Sequence, residues 1–315
     1  MYLSFIARRL LQTIPTLLGI ITALFLVLYL APGDPIMFLL GPYYTDDAYE
    51  ALASKYGLDR PLPIQYFDYI YRVVQGDFGM SMRSSIPAFP NAIRYLRSSL
   101  ELALAALIFI AIAGTILGAV SALAPGGRLD RVIMFISLGV YSVPVFVAGS
   151  ILLYTLAFRA QLFPIGGRGE PSQPLDILWH LVLPTITLGI RQTALVARIL
   201  RSKLIDILSN RPYIVTARAK GLGEMKVVVK HAFRNAMIPV VTVLALNLGA
   251  LIGNAAITEV VFNRVGLGSL LLQSVHARDY PQVQAAAFLF CMVVIIANLL
   301  ADVAYGLLDP RIRYE

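Results

Sequence analysis

Charged residues are scarce in this chain. Asp, Glu, Lys and Arg make up 14% of its 315 residues, whereas 58% are hydrophobic, and the mean hydropathy is +0.75. A soluble domain carries about 25% charged residues. The composition therefore excludes an ordinary soluble domain and predicts a protein that crosses a membrane several times. The net charge of +8 indicates membrane orientation rather than nucleic-acid binding, because the basic residues lie in loops between apolar runs.

The residues that build most catalytic and metal sites are also few. The single cysteine, Cys291, lies in an apolar run, so no internal disulfide can form. The three histidines, His180, His231 and His276, lack metal-ligand spacing. The motifs G-x-x-x-x-G-K-[ST], H-E-x-x-H and G-x-S-x-G do not occur. We therefore expect a chain that is not an enzyme, binds no metal or cofactor and does not hold ATP phosphates itself.

What the sequence has in abundance is long apolar runs, which predict an all-α membrane protein with six spans. Arg8 and Arg9 precede the first run, residues 14–31. A signal peptide also starts with basic residues, but this run has about 18 residues and no A-x-A cleavage pattern follows, which favours a retained span. The other five spans are predicted at residues 98–125, 132–158, 180–200, 238–257 and 283–307. We expect a kink at Pro144 in the third span.

Two G-x-x-x-G pairs lie within these runs. Gly114 and Gly118 are in the second span, and Gly249 and Gly253 are in the fifth. Such pairs let two helices approach closely in a membrane. The first pair would allow another helix to approach the second span closely.

Residues 33–97 form a long polar interval after the first span. The sequence predicts two parts: residues 1–97, the first span plus a small extracytoplasmic subdomain, and residues 98–315, a five-helix core. A helix is predicted at residues 46–56. Seven tyrosines between Tyr43 and Tyr71 are typical of anchors at the membrane interface, or of a contact surface for another protein.

Basic residues predict the orientation of the spans. The predicted inner segments carry fifteen Lys and Arg residues, and the two short outer loops carry four. Short loops rich in Lys and Arg stay on the cytoplasmic side. The count predicts that both termini are cytoplasmic.

The most informative stretch is the polar, basic interval at residues 209–239. Asn210 is a candidate N-cap and Pro212 suits the first turn of a helix. Gly221 and Gly223 are expected to end this helix in the left-handed region, and Glu224 to begin the next one. The interval therefore predicts two helices joined by a tight elbow.

Within this interval, YIVTARAKGL and HAFRNAMIP resemble the cytoplasmic loop of ABC-importer permeases of the dipeptide, oligopeptide and nickel type, which carries the EAA motif of the wider superfamily. Gly221 matches the motif glycine and Ala217 its second alanine. Val215 and Thr216 stand where the general motif has Glu and Ala, as in the peptide-type branch. The segments 58–66, 76–81, 278–284 and 309–313 are similar to that family as well.

The resemblance implies a type I ABC-importer permease with six spans and a coupling loop, residues 205–239, that docks on a cytoplasmic ATPase. It implies these partners: a second permease, two ABC ATPase subunits that use ATP and Mg²⁺, and an extracytoplasmic solute-binding protein. The residues that it places in contact with the ATPase are Ala217, Arg218, Ala219, Lys220, Gly221, Leu222, Gly223 and Glu224.

Polar residues inside the spans are the candidates for the substrate pathway. They are Arg191, Gln192, Asn247 and Asn254. A charge at the depth of Arg191 costs roughly 2.5–3.5 kcal/mol, so Arg191 should form an ion pair, reach the interface or face the pathway.

The resemblance favours di- or oligopeptides as the substrate, while oligosaccharides and nickel chelates stay open. An ion-coupled secondary transporter would need paired intramembrane carboxylates, which the runs do not clearly show. An exporter or a membrane scaffold would not need a binding protein.

Overall fold

A computed structural model describes residues 2–30, 34–41 and 44–308, without the side chains of residues 2–10, 28, 35, 38–39 and 304–308. In that part of the chain every regular element is helical, and the one β-bridge pairs Met80 with Pro87. The predicted all-α fold is confirmed. The side chains of Arg8 and Arg9, and residues 31–33, 43 and 309–315, lie outside the described residues.

The longest connections between the helices are residues 75–87 and 160–173. The helices are α1 (Tyr2–Leu30), α2 (Pro35–Leu40), α3 (Asp46–Tyr56), α4 (Leu62–Val74), α5 (Ala88–Leu123), α6 (Arg128–Ser142), α7 (Val145–Leu152), α8 (Pro174–Asn210), α9 (Pro212–Ala219), α10 (Glu224–Lys226), α11 (Arg234–Leu246), α12 (Leu248–Val261), α13 (Leu267–His276) and α14 (Tyr280–Leu308). Two π-helical segments, Leu153–Arg159 and Val227–Phe233, continue α7 and α10.

The chain divides into two compact units. The first comprises Met1–Ser99 and Val265–Ile295, and the second comprises Leu100–Arg264 and Ile296–Glu315. The boundary near residue 99 lies beside the predicted one, but the first unit also takes in a segment from late in the chain. That addition is not visible in sequence order, because it depends on packing between distant segments.

In the first unit, α3 occupies the predicted residues 46–56. The Thr45 hydroxyl accepts a hydrogen bond from the Ala48 amide at 3.4 Å, and Gly57 ends the helix at φ +68°. Asp279 ties distant segments together: its carboxylate accepts a hydrogen bond from the Ser81 hydroxyl, and another from the Met82 amide at 3.0 Å. The apolar core of this unit includes Ile21, Phe25, Val73, Phe78, Leu267 and Phe288.

In the second unit, α8 is the central helix and packs against α6, α7, α11 and α12. Its buried residues recur at helical spacing and face the core. This core includes Leu102, Ile110, Val196, Leu200, Ile214 and Val240. Because the helix is long and touches four others, it positions the polar residues described below.

The predicted third span is broken rather than kinked at Pro144. Helix α6 ends at Ser142, α7 begins at Val145, and the two axes meet at 110°. Val143 and Pro144 are both extended, with ψ of 130° and 141°. A residue before proline is pushed out of the helical region, so two consecutive residues leave the helix and the angle is far larger than a kink.

The predicted fifth span is also broken. Helix α11 ends at Leu246 and α12 begins at Leu248, with Asn247 between them at φ −88° and ψ −3°. The Asn247 side chain donates a hydrogen bond to the Val243 carbonyl at 2.7 Å. Asparagine side chains compete in this way with backbone hydrogen bonds and favour helix interruption.

Three helices in the described residues are long and apolar enough to cross a membrane: Ala88–Leu123, Glu224–Leu246 and Tyr280–Val303. The bent pair Arg128–Ser142 and Val145–Arg159 makes a fourth if it counts as one span. Two shorter apolar helices, Leu11–Val27 and Leu248–Val261, fall below this length. The six predicted spans therefore stay a prediction.

The first G-x-x-x-G pair lies at a close helix contact, as predicted. A Cβ on Gly114 would lie 2.7 Å from a methyl carbon of Val196, and one on Gly118 would lie 2.7 Å from the Ala197 carbonyl oxygen. In the second pair, Gly249 lies against the Asn298 amide, but a Cβ on Gly253 would meet no atom within 4 Å. At Gly253 no close contact forms with the described residues.

The substitution Gly118→Ala is expected to lower the free energy of unfolding by about 1–3 kcal/mol, because the new methyl overlaps backbone atoms of α8 that cannot move independently. Gly253→Ala is the matched control, since the added methyl enters open space and alanine favours a helix. Thermal unfolding of the purified protein in detergent measures both variants. Equal unfolding midpoints would contradict a close contact at Gly118.

Candidate functional site

The coupling loop has the predicted helix–elbow–helix form, with two corrections to its ends. Asn210 is the last residue of α8 and not an N-cap. Pro212 holds the first position of α9, and Arg211 before it is extended at φ −96° and ψ 125°, so α8 ends there. The Asn210 side-chain amide donates a hydrogen bond to the Asp206 carboxylate at 3.1 Å. Asp206 lies beyond the predicted span 180–200, and this hydrogen bond holds its pKa below the usual range.

The elbow needs only one left-handed glycine. Gly221 has φ +76°, and its amide donates to the Arg218 carbonyl at 2.9 Å, which closes the end of α9. Gly223 is extended at φ −62° and ψ 147° and precedes α10. The left-handed conformation predicted for Gly223 is therefore wrong, while α10 begins at Glu224 as predicted.

An exposed ion pair spans the elbow. Arg218 Nε and Nη2 donate to the two carboxylate oxygens of Glu224 at 2.7 and 3.1 Å, and Arg218 Nη1 donates to the Leu208 carbonyl at 3.3 Å. This bidentate pair joins α9 to α10 across the elbow and adds little to the stability of the fold, because both side chains are exposed.

The described side chains divide the predicted coupling residues into two sets. Ala217 is buried, together with Ile214, and holds α9 against the core of the second unit. Leu222 is half-buried. The exposed set is Arg218, Ala219, Lys220, Gly221, Gly223 and Glu224.

Sequence reasoning missed two exposed apolar side chains beside this set. Val215 and Met225 are 63% and 68% exposed on either side of the elbow. Their residue types carried no signal, because a valine and a methionine in an amphipathic stretch are equally typical of the core. Met225, Leu208 and Leu123 also line a groove of about 330 Å³ next to the Arg218–Glu224 pair. The elbow therefore exposes small and apolar groups next to the charges of Arg218 and Glu224.

The pathway candidates are partly brought together. Gln192 Nε2 donates to Asn247 Oδ1 at 2.8 Å, so α8 is joined to the break between α11 and α12. The Arg191 guanidinium carbon lies 4.6 Å from the centroid of the Tyr141 ring. Asn254 lies exposed on α12, and in the part of the chain that the structure describes no side-chain hydrogen bond joins it to the other three. The sequence left three alternatives for Arg191: an ion pair, the membrane interface or the pathway. No ion pair of Arg191 is found among the described residues.

No sequence pattern indicated the partly buried charge cluster in which Arg264 is buried and Arg168 and Glu101 are about a quarter exposed. Arg168 donates to both carboxylate oxygens of Glu101, at 2.6 and 3.1 Å, and Arg264 Nη2 donates to Glu101 at 3.3 Å. Arg264 is 0% exposed. Burial lowers the pKa of the Arg264 guanidinium, and Glu101 opposes this by favouring the charged form. The three residues are far apart in sequence, which is why no spacing revealed them.

Comparison with known proteins assigns the family. A family model described as the inner membrane component of binding-protein-dependent transport systems matches residues 114–314, and the model of its N-terminal part matches residues 2–101. The chain therefore belongs to the inner membrane components of binding-protein-dependent transport systems and is an inner-membrane protein.

Relatives over the full length carry more particular names. The dipeptide transport system permease protein of Escherichia coli strain K12 is 36% identical, with 99% of each chain covered. The di/tripeptide transport system permease protein of Pseudomonas aeruginosa strain UCBPP-PA14 is 37% identical, with 99% of each covered. The glutathione transport system permease protein of Escherichia coli strain K12 is 39% identical, over 99% of this chain and 100% of the relative.

Solved structures share the fold at low sequence identity. A chain of an inward-facing methionine ABC transporter is 18% identical, with a TM-score of 0.55 over 70% of this chain and 96% of that chain. A chain of an amino acid ABC transporter is 17% identical, with a TM-score of 0.51 over 70% of this chain and 94% of that one. The fold is that of an ABC-importer permease, as the sequence predicted.

Proposed function

We propose that this chain is the permease subunit of an ATP-driven, binding-protein-dependent importer of di- or oligopeptides. The observation that carries the proposal is its similarity, at 36–39% identity and over nearly its whole length, to permeases named for dipeptide, di/tripeptide and glutathione transport. The exposed elbow between α9 and α10 supports the coupling part of the proposal. The chain itself then provides the path, and no catalytic site.

The proposed partners follow from the same family. They are a second permease of the same type, two cytoplasmic ABC ATPase subunits and an extracytoplasmic solute-binding protein. ATP and Mg²⁺ act in the ATPase subunits, because this chain lacks the phosphate-binding motif.

The proposed mechanism is alternating access. ATP binding closes the ATPase pair and draws the two elbows together, which favours the outward-facing packing of the permeases; hydrolysis returns them to the inward-facing one. A ligand shifts such an equilibrium only as far as it binds one packing better. The residues that transmit the shift are the exposed ones of the elbow, with Ala217 anchoring α9 behind them.

The proposed topology has six spans with both termini in the cytoplasm. Support comes from the apolar runs and from the fifteen basic residues of the inner segments, counting Arg198 at the inner end of the fourth span, against four in the short outer loops. In this topology residues 1–97 carry the first span and an extracytoplasmic subdomain, and residues 98–315 carry the five-span core. The elbow at Gly221 then faces the cytoplasm, where the ATPases are.

A pull-down from native membranes through a C-terminal tag tests the proposal. The expected result is recovery of two P-loop ATPase subunits, identical or different, and a second six-span permease, identified by mass spectrometry. The matching binding protein, titrated with dipeptides, oligosaccharides and nickel chelates, is expected to bind dipeptides. Recovery of the chain alone, or as an oligomer of itself, would contradict the proposal and favour an ion-coupled transporter.

A further inference from the structure

Two helix breaks of the second unit meet adjacent residues of α8. Tyr141, just before the break at Pro144, contacts Arg191, and Asn247, at the break between α11 and α12, bonds to Gln192. Transporters commonly form substrate sites where membrane helices are interrupted, because freed polar groups are tolerated only beside protein or a water-filled cavity. Both breaks lie against α8 at Arg191 and Gln192. This part of the second unit is therefore a place where substrate could bind.

Two guanidinium groups share the ring of Tyr141 at this place. The guanidinium carbons of Arg191 and Arg198 lie 4.6 and 4.9 Å from the ring centroid. The two arginines are about two turns apart on α8 and so lie on one face of it. Stacking on a ring attracts each cation through the ring quadrupole but neutralises neither charge. Two like charges thus contact one ring.

Among the described residues, no carboxylate compensates these charges. In the described parts of the chain neither Arg191 nor Arg198 pairs with a carboxylate, and Arg198 Nε is buried without a hydrogen-bond partner. Arg201, one turn further along, differs: it binds both oxygens of Asp130 at 2.5 and 2.6 Å. The helix thus has one arginine saturated by the protein and two that keep donors for something else.

In the proposed topology Arg191 lies inside the fourth span and Arg198 near its inner end, which limits what they face. A lipid-facing arginine inside a membrane costs roughly 2.5–3.5 kcal/mol, and Arg191 is exposed on this chain. Its side chain must therefore face water or protein. A guanidinium that contacts a ring keeps its planar set of N–H donors, which matches the two oxygens of a carboxylate.

We propose that Arg191 and Arg198, held by Tyr141, receive the carboxylate of the transported peptide as it crosses the membrane. The inference rests on the proposed function and assigns the chemical group that this chain recognises: a free carboxylate, a group that peptides carry and neutral oligosaccharides lack. The Gln192–Asn247 pair lies beside this position and offers amide groups to the peptide backbone. Arg198 and Tyr141 extend the set of pathway residues beyond those that the sequence indicated.

The test compares a dipeptide with its C-terminal amide. The assembled transporter is reconstituted in proteoliposomes with its binding protein, and uptake of each peptide is measured for the wild type and for Arg191→Gln/Arg198→Gln. We expect the ratio of acid to amide uptake to fall at least tenfold in the double variant, and to fall also in Tyr141→Leu, which removes the ring. The binding protein is the same in all arms. Its own preference for the acid over the amide therefore cancels when the uptake ratios of the variants are compared.

Lys203→Gln is the matched control, because it removes one positive charge from the same helix at an exposed position paired with Asp206. Its ratio should equal that of the wild type. If the double variant does not assemble, Arg198→Lys is measured instead. Lysine keeps the charge but cannot form the two parallel hydrogen bonds of a guanidinium, so the ratio of acid to amide uptake should still fall several-fold.

An equal loss of acid and amide uptake in the arginine variants would overturn the proposal and assign Arg191 and Arg198 to structure. A defect that depends on the anionic-lipid content of the vesicles, with an unchanged ratio, would overturn it in favour of a lipid phosphate. Wild-type vesicles that import neither peptide would instead refute the proposed function, and this inference would fall with it.

Discussion

Replacing Gly221 by valine is expected to reduce peptide-stimulated ATP hydrolysis of the assembled transporter at least tenfold, while the chain still enters the membrane. Gly221 has φ +76°, a conformation that costs a residue with a Cβ roughly 1–2 kcal/mol and a β-branched residue more. No atom lies within 4 Å of the position of its Cβ. The effect will therefore come from a changed angle between α9 and α10, not from a clash within the chain.

Gly76→Val is the matched control for this effect. Gly76 has φ +75° and equally open surroundings, but it lies in the predicted extracytoplasmic subdomain, far along the chain from the elbow. The variant carries the same backbone strain, and its peptide-stimulated ATP hydrolysis should equal that of the wild type. Normal coupling in Gly221→Val would show that the elbow does not transmit force, and equal losses in both variants would point to strain alone.

Replacing Asp130 by asparagine is expected to lower the unfolding midpoint strongly, because it removes the carboxylate that pairs with Arg201, whose side chain is 27% exposed. Asp130 is 3% exposed. Its carboxylate accepts hydrogen bonds from the Ser121 hydroxyl, from Arg201 and, at 2.7 Å, from the Gly126 amide. One carboxylate thus joins the end of α5, the start of α6 and α8. The measurement is the unfolding midpoint of purified protein, with the amount of protein in the membrane.

Asp206→Asn is the control for this second effect. Asp206 pairs with Arg211 at 3.4 Å and Lys203 at 3.7 Å, and its side chain is 40% exposed. An exposed pair is worth about 0–1 kcal/mol, so the unfolding midpoint should change little. Equal midpoints for the two aspartate variants would contradict the structural role of Asp130.

The sequence predicted those features that depend on neighbouring residues. Pro212, Gly221 and Glu224 define the elbow because a first-turn proline, a left-handed glycine and an N-terminal acid act locally. Pro144 marked the place where the third span loses a hydrogen bond, but the 110° bend depends on what packs against α6 and α7. Asn247 gave no comparable signal, since asparagine within an apolar run is also compatible with an unbroken helix.

Partners between distant residues could not be predicted. The bond from Arg264 to Glu101 crosses 163 residues, and the one from Arg201 to Asp130 crosses 71. Charge spacing along one helix carries no information about such pairs. For the same reason Arg191 was recognised as a pathway candidate from its depth alone, whereas its neighbour Tyr141 and the second arginine, Arg198, required the packing of α6 on α8.

The most direct test of the proposed import activity is uptake by the reconstituted transporter. Proteoliposomes would hold both permeases and the ATPases oriented toward the outside medium, with the binding protein and a radiolabelled dipeptide enclosed. ATP and Mg²⁺ added outside are expected to drive the dipeptide out of the vesicle interior, which corresponds to import, only when the binding protein is present. Transport that needs no ATPase and follows an imposed proton or sodium gradient would contradict the account.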